Sequence, residues 1–224
     1  MNYLRMFAET RRHPCAVLLV VQLFGIVAYP FVESTRVGGG VLAVFGIVVL
    51  FISVRMVRRT PGLTWVSVCL AIPAVILLAL QTLGDFPSLL PWSSGLEAVF
   101  YLYAAGSLIA YMMADRKATL DELFAVGATF TLLAWAFTHL FVVTQALQPG
   151  SFLAATNAQA PRTWTELMYL SFALLSSTGI GDVIPVTVHA RALGSVAMFT
   201  GVMYLALVVS RLVGLTLQPH TGAN

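Results

Sequence analysis

Charge is the scarcest property of this sequence. Asp, Glu, Lys and Arg make up 9% of its 224 residues against 59% hydrophobic, and the mean hydropathy is +0.90. A soluble domain carries roughly a quarter of its residues as charges, so this chain has too few to cover an aqueous surface and reads as an integral membrane protein. Cysteine is almost missing. Cys15 and Cys69 both fall inside apolar runs, where a thiol is read as a small buried hydrophobe, not as half of a disulfide or a metal site. The few polar residues offer no His/Asp/Glu set at metal-ligand spacing and no Ser–His–Asp set, so neither an enzyme nor a nucleic-acid partner is expected. No repeat relates the two halves, which counts against a transporter built from repeated bundles.

What is there is apolar sequence in runs. A spanning helix needs about 20 mostly apolar residues, and six stretches qualify: 14–31, 37–54, 63–83, 94–114, 119–145 and 189–217. Arg5, Arg11 and Arg12 precede the first run. That run is long and has no small-x-small cleavage site, so it reads as a retained span and not a signal peptide. Thr60-Pro61-Gly62 and Gly84-Asp85-Phe86-Pro87 are turn signals, and Pro73 is expected to kink the third span. Thr119 and Glu122 have capping-box spacing and open the fifth.

Orientation follows from the Lys/Arg bias of short loops. With the N-terminus inside, nine of the 12 basic residues (Arg5, Arg11, Arg12, Arg55, Arg58, Arg59, Arg116, Lys117, Arg211) are cytoplasmic, and Arg36, Arg162 and Arg191 are outside. Both termini are then cytoplasmic, and residues 148–188 face outward. The Arg55/Arg58/Arg59 cluster doubles as a lipid-headgroup anchor.

The outward stretch is the unusual one. Thr163 and Glu166 stand at capping-box spacing and open an apolar run of about a dozen residues from Trp164 to Leu175, too short to span and suited to a re-entrant helix. Ser176-Ser177-Thr178-Gly179-Ile180-Gly181-Asp182 follows, then Val183-Ile184-Pro185-Val186-Thr187. Irregular backbone at membrane depth survives only if protein buries it or it lines a water-filled path. Gly179 and Gly181 permit backbone angles that other residues resist.

At these residues the chain resembles the pore of the tetrameric potassium-channel superfamily, whose usual signature is Thr-Thr-Val-Gly-Tyr-Gly-Asp. The resemblance covers about residues 119–217 and extends through Pro185-Val186-Thr187, Arg191 and a register-matched inner-helix glycine, Gly201. It implies a homotetramer in which Ser177, Thr178, Gly179, Ile180 and Gly181 hold potassium ions at a filter. Ser176, Asp182 and Leu170 would support that filter, and Gly201 would be a gating hinge. Val202, Ala206, Val209 and Val213, at helical spacing on the last span, are candidate pore-lining residues. The sequence departs from the signature at Ile180, where the family has a tyrosine whose phenol braces the filter. Ser177 replaces a threonine, and Ala173 stands where some members have an acid. The fourth span carries Glu97 and no arginine ladder, so a voltage sensor of the usual kind is not expected.

Other residues receive structural readings. Glu97 is expected to pair with Arg36 or face the interface, and His139 to be a packing residue. Trp65, Trp92 and Trp164 are placed near the membrane interfaces, and Trp135 inside the bundle. With the chain ending at Asn224, no cytoplasmic sensing domain is expected.

The expected fold is therefore an all-α integral membrane protein with six transmembrane helices, a re-entrant pore helix and an extended filter. Residues 1–117 form a four-span domain, and 118–224 form the pore domain. The expected function is a passive, potassium-conducting cation channel of the plasma membrane, working with membrane lipid around it and no cofactor beyond its ions. The alternatives are a non-selective monovalent cation channel, a transporter, or a membrane scaffold with a decayed filter.

Overall fold

The computed structural model describes residues 13–33, 38–58, 63–84, 86–114, 120–157 and 160–216. Eight α-helices and two short strands among the described residues follow in chain order, with a 3-10 turn at Pro87–Leu89 before the fifth helix: α1 (Pro14–Ala28), α2 (Pro30–Glu33), α3 (Gly38–Val57), α4 (Thr64–Leu83), α5 (Leu90–Ala114), α6 (Leu120–Leu147), β1 (Phe152–Ala154), α7 (Trp164–Leu175), β2 (Val183–Pro185) and α8 (Val188–Thr216). Among the described residues, four helices are long and apolar enough to cross a membrane: α4, α5, α6 and α8. The apolar stretches of α1 and α3 are shorter, at Pro14–Ala28 and Ala43–Val57. Thr119, Arg36, Arg59, Arg116, Lys117, the Thr60–Gly62 turn and the N-terminal arginines lie outside the described residues. So do Asp85 and the far end of the last span at Leu217.

The bundle is built round α6. Every residue from Thr131 to His139 on it is buried, as befits a helix that is apolar on all sides and covered on all sides. α1, α5, α7 and α8 pack against it. Small residues of the two most closely packed helices, Ala98, Ala104 and Ala105 on α5 and Ala125, Ala128 and Ala134 on α6, are fully buried. Small side chains let two backbones approach closely, which replaces the hydrophobic drive that lipid cannot supply. Three hydroxyls of α6 are satisfied locally: Thr131, Thr138 and Thr144 donate to the carbonyls four residues back, at 2.9, 2.7 and 2.8 Å. α4 continues through Pro73 without breaking.

Polar contacts fix which ends lie together. The Cys15 N–H in the first turn of α1 donates to Asp121 Oδ1 at the start of α6 (3.2 Å), a carboxylate placed at a positive helix end. Arg211 near the end of α8 pairs with Glu122 of α6 (2.9 Å). At the opposite side, Glu33 accepts from the Thr165 N–H of α7 (3.2 Å). The start of α1, the start of α6 and the end of α8 therefore share one face of the bundle, and the start of α7 sits at the other.

One element is additional to the expected all-helical plan. β1 and β2 pair antiparallel with Leu153 opposite Ile184. Three-residue strands show too few alternations to register as strands in the sequence.

Candidate functional site

The site starts with α7. Its N-terminus closes with the anticipated capping box: Thr163 Oγ1 accepts from the Glu166 N–H, and Glu166 Oε2 accepts from the Thr163 N–H. Behind it lies a residue the sequence did not single out. Arg162 is counted there as one of three outer basic residues, yet its side chain is buried. Its guanidinium donates to Glu166 Oε1 (3.1 Å) and to the carbonyls of Thr156 (3.4 Å), Asn157 (2.6 Å) and Ala160. The Gln145 amide brackets the Arg162 backbone, accepting from its N–H (2.8 Å) and donating to its carbonyl (2.9 Å). One arginine thus ties the end of α6, the loop and the first turn of α7 together. The i,i+4 spacing of Arg162 and Glu166 was the available signal.

α7 is also pinned along its length. Ser171 Oγ donates to the Ala134 carbonyl of α6 (2.8 Å), and Phe130 of α6 lies against both Phe172 of α7 and Tyr204 of α8. Leu170 is 3% exposed.

The C-terminus of α7 sets up the segment that follows. The Ser177 N–H donates to the Leu174 carbonyl (3.0 Å), and the Thr178 N–H to the Ala173 carbonyl (3.0 Å). With Ser177 at φ +57°, this is the paired-bond helix ending in which a left-handed residue usually supplied by glycine closes the last turn. The Gly179 N–H also reaches the Ala173 carbonyl (3.2 Å). Three successive N–H groups therefore point back at α7. In a trans peptide the C=O lies opposite the N–H, so the carbonyls of Ser176, Ser177 and Thr178 point away from it, to the exposed side.

Beyond that, φ alternates in sign. Ser177, Gly179 and Gly181 are positive, at +57°, +56° and +85°, while Thr178, Ile180 and Asp182 are not. Alternation of this kind gathers successive N–H groups on one side and leaves the carbonyls on the other. All residues from Ser176 to Asp182 are exposed in the single chain. Ser176 Oγ donates to the Phe172 carbonyl (2.7 Å) and lies 2.7 Å from Thr178 Oγ1. Asp182 Oδ1 accepts from its neighbour's N–H, Val183 (2.9 Å). Ile180 is 64% exposed while Leu170 is packed within its own chain.

The return path is held by the rest of the motif. β2 is fixed to β1, with the Ala155 N–H donating to the Asp182 carbonyl (3.0 Å) and the Val186 N–H to the Ser151 carbonyl (2.9 Å). Thr187 Oγ1 caps α8 through the Ala190 N–H (3.4 Å), and Arg191 Nε donates to the Pro185 carbonyl (3.3 Å). α8 then passes directly under the end of α7. At Gly201 a Cβ would fall on the Leu175 carbonyl and lie 2.7 Å from the Leu175 Cα, so only glycine fits. Val202, Ala206, Val209 and Val213 are all exposed, and Tyr204 and Val208 on the opposite side are buried.

Residues 129–218 match the family model for ion channels. The match takes in most of α6, all of α7, the 176–182 segment and α8. No curated protein matches the chain, and neither does any solved structure. Helices able to cross a membrane, together with this domain, support a membrane protein that passes ions passively.

Outside that domain one expectation is corrected. Glu97 does not face the interface. It is 3% exposed, and its Oε2 lies 3.4 Å from His139 Nε2. The rotation of α5 about its axis turns it inward, towards α6.

Proposed function

We propose that this chain is one of four identical subunits of a potassium-conducting cation channel. The backbone carbonyls of Ser177, Thr178, Gly179 and Ile180, with the Ser177 hydroxyl, would replace the water shell of a dehydrated ion, and Gly181 would complete the ascent. One chain offers one side of such a ring, so conduction requires assembly around an axis. The observation that carries this reading is the alternating backbone at 177–182, exposed directly after a short capped helix whose C-terminal end favours a cation. The ion-channel match over the same residues supports it.

In this reading α1, α3, α4, α5, α6 and α8 are the six spans, α7 is re-entrant, and both termini are cytoplasmic, as the arginine distribution suggests. The plasma membrane is the proposed location. Val202, Ala206, Val209 and Val213 line the inner cavity, and an apolar narrowing there closes by dewetting.

A second reading is favoured by one residue. Ile180 has no phenol to brace the filter, which would suit a non-selective monovalent cation channel. Reversal potentials of the purified protein in planar bilayers separate the two. A potential that follows the potassium gradient supports the first reading, and one unmoved by exchanging sodium for potassium supports the second. Absence of conductance from an intact tetramer would overturn both. Gly179→Ala is the mutational control. Its Cβ meets nothing within 4 Å in the chain, but a side chain at positive φ costs about 1–2 kcal/mol, repeated in every subunit at one axis. Current is expected to disappear while the assembly remains on size-exclusion.

A further inference from the structure

Between the first four spans and the pore domain lies a cavity of about 130 Å³, reached by Glu97 from α5, His139 and Trp135 from α6, Gln81 from α4 and Trp164, the first residue of α7. It has the features of a built polar site. Glu97 and His139 are both more than nine-tenths buried, and neither ring nitrogen of His139 has a hydrogen-bond partner. The indole N–H groups of Trp135 and Trp164 and the hydroxyl of Tyr101 are likewise buried and unpartnered. Buried polar atoms are normally satisfied, and a cavity this size has room for about four waters at liquid density.

No Lys or Arg lines the cavity among the described residues. Tyr101, whose ring stacks on His139 at 5.6 Å, is the other titratable group against the pair from α5. α3 presents Ala43 and Gly46, α4 presents neutral Gln81, already bonded to Ser93 (2.6 Å), and α7 presents Trp164. Tyr29 and Glu33 reach only the far side of that turn, at the Trp164 ring and the Thr165 N–H. Charge at the site is therefore set by Glu97 and His139 alone. With one proton on the pair the site is neutral, whichever atom carries it. Losing that proton leaves a lone buried carboxylate, and gaining a second leaves a lone imidazolium. Each is costly away from water, and the two steps belong to the pair as a unit.

We infer that this hydrated cavity is a proton-binding site, with Glu97 and His139 as its ligands, through which pH acts on the start of the pore helix. The route is short: His139 lies one turn from Trp135 on α6, and the Trp135 ring meets Trp164 at 5.1 Å. A change in charge that draws in or expels water shifts the seat of Trp164, and α7 carries the 176–182 segment at its other end. The effect on conduction rests on the channel reading; the proton site does not.

The test uses the full chain in lipid nanodiscs and in bilayers, with Trp65 and Trp92, both exposed, changed to Phe. Emission from Trp135 and Trp164 then reports the cavity. Between pH 4 and 9 it is expected to titrate. His139→Asn and Glu97→Gln should each reduce that titration to a single step, its midpoint moved by about one pH unit or more, as loss of an adjacent charge does. Tyr101→Phe, which removes only a hydroxyl, should retain it. In bilayers the current is expected to vary with pH, and to lose most of that variation in Glu97→Gln. Emission curves unchanged in both His139→Asn and Glu97→Gln would overturn the site, and wild-type pH dependence of current in both would overturn its action on the pore. Titration as described from a protein that passes no current would leave the site standing and remove the channel reading instead.

Discussion

Arg162 shows how much of a membrane protein's outer surface can hang on one buried side chain. Its guanidinium satisfies three loop carbonyls and one carboxylate oxygen at once. Removing one partner of a buried charged network commonly costs about 3–5 kcal/mol, less here because Glu166 is partly exposed. Arg162→Met is expected to lower the melting temperature of the purified protein by several degrees and to make the 148–163 loop susceptible to protease; an unchanged melting curve would refute the role. Gly201 is the second such residue. Its replacement by alanine forces backbone against backbone, and overpacking of this kind costs about 1–3 kcal/mol. Gly201→Ala should destabilise the fold more than Gly214→Ala, whose Cβ meets nothing within 4 Å; thermal unfolding in detergent makes the comparison. At this scale the sequence was legible where chemistry is local. Thr163 and Glu166 are three residues apart, so their capping box could be read directly. Glu97 and His139 sit on different helices, and their meeting depends on the rotation of α5 about its axis. Both helices are apolar on all sides, so no polar face announces that rotation.

Among the elements, α6 and α8 are joined at two levels. Tyr204 donates to the Val126 carbonyl (2.6 Å), and below it Arg211 pairs with Glu122, both partly or fully buried. These bonds hold α8 against α6 at the end away from the 176–182 segment. Exchanging the pair's charges for neutral isosteres, Glu122→Gln with Arg211→Gln, should free the lower part of α8. In single-channel records the open probability is expected to change at least threefold; identical records would remove the latch. The face of α8 that leads the other way can be mapped by cysteine substitution in a background lacking Cys15 and Cys69. Val202→Cys and Val209→Cys should be modified by a water-soluble thiol reagent with loss of current, and Val208→Cys, on the buried face, should not. The lengths of α6, α7 and α8 were readable from their apolar runs. The pairing of β1 with β2 was not, because it depends on a contact between segments some thirty residues apart.

For the whole molecule, the sequence made the membrane class plain through what it lacked, and its punctuation made the order of long and short helices from α6 to α8 plain. Less was visible of how the helices before α6 attach. Their apolar faces carry no pattern that distinguishes a lipid neighbour from a protein neighbour, so the packing of α1 and α5 against α6 emerged only from the three-dimensional arrangement. The attachment is extensive: α1 packs along α6 on one side and α5 on another.

The notch at Gly201 has a mechanical meaning for the chain. α8 rests there on the end of α7 and cannot slide or roll without lifting a backbone off a backbone. It can only tilt. That makes it a lever with a fixed fulcrum, its lower arm of fifteen residues about 22 Å long at 1.5 Å per residue. A tilt of about 10° would swing the far end by about 4 Å while the fulcrum, and the 176–182 segment seated above it, stays still. Opening at the bottom and conduction at the top would then be separate events with separate rates. A blocker held at one end need not be felt at the other.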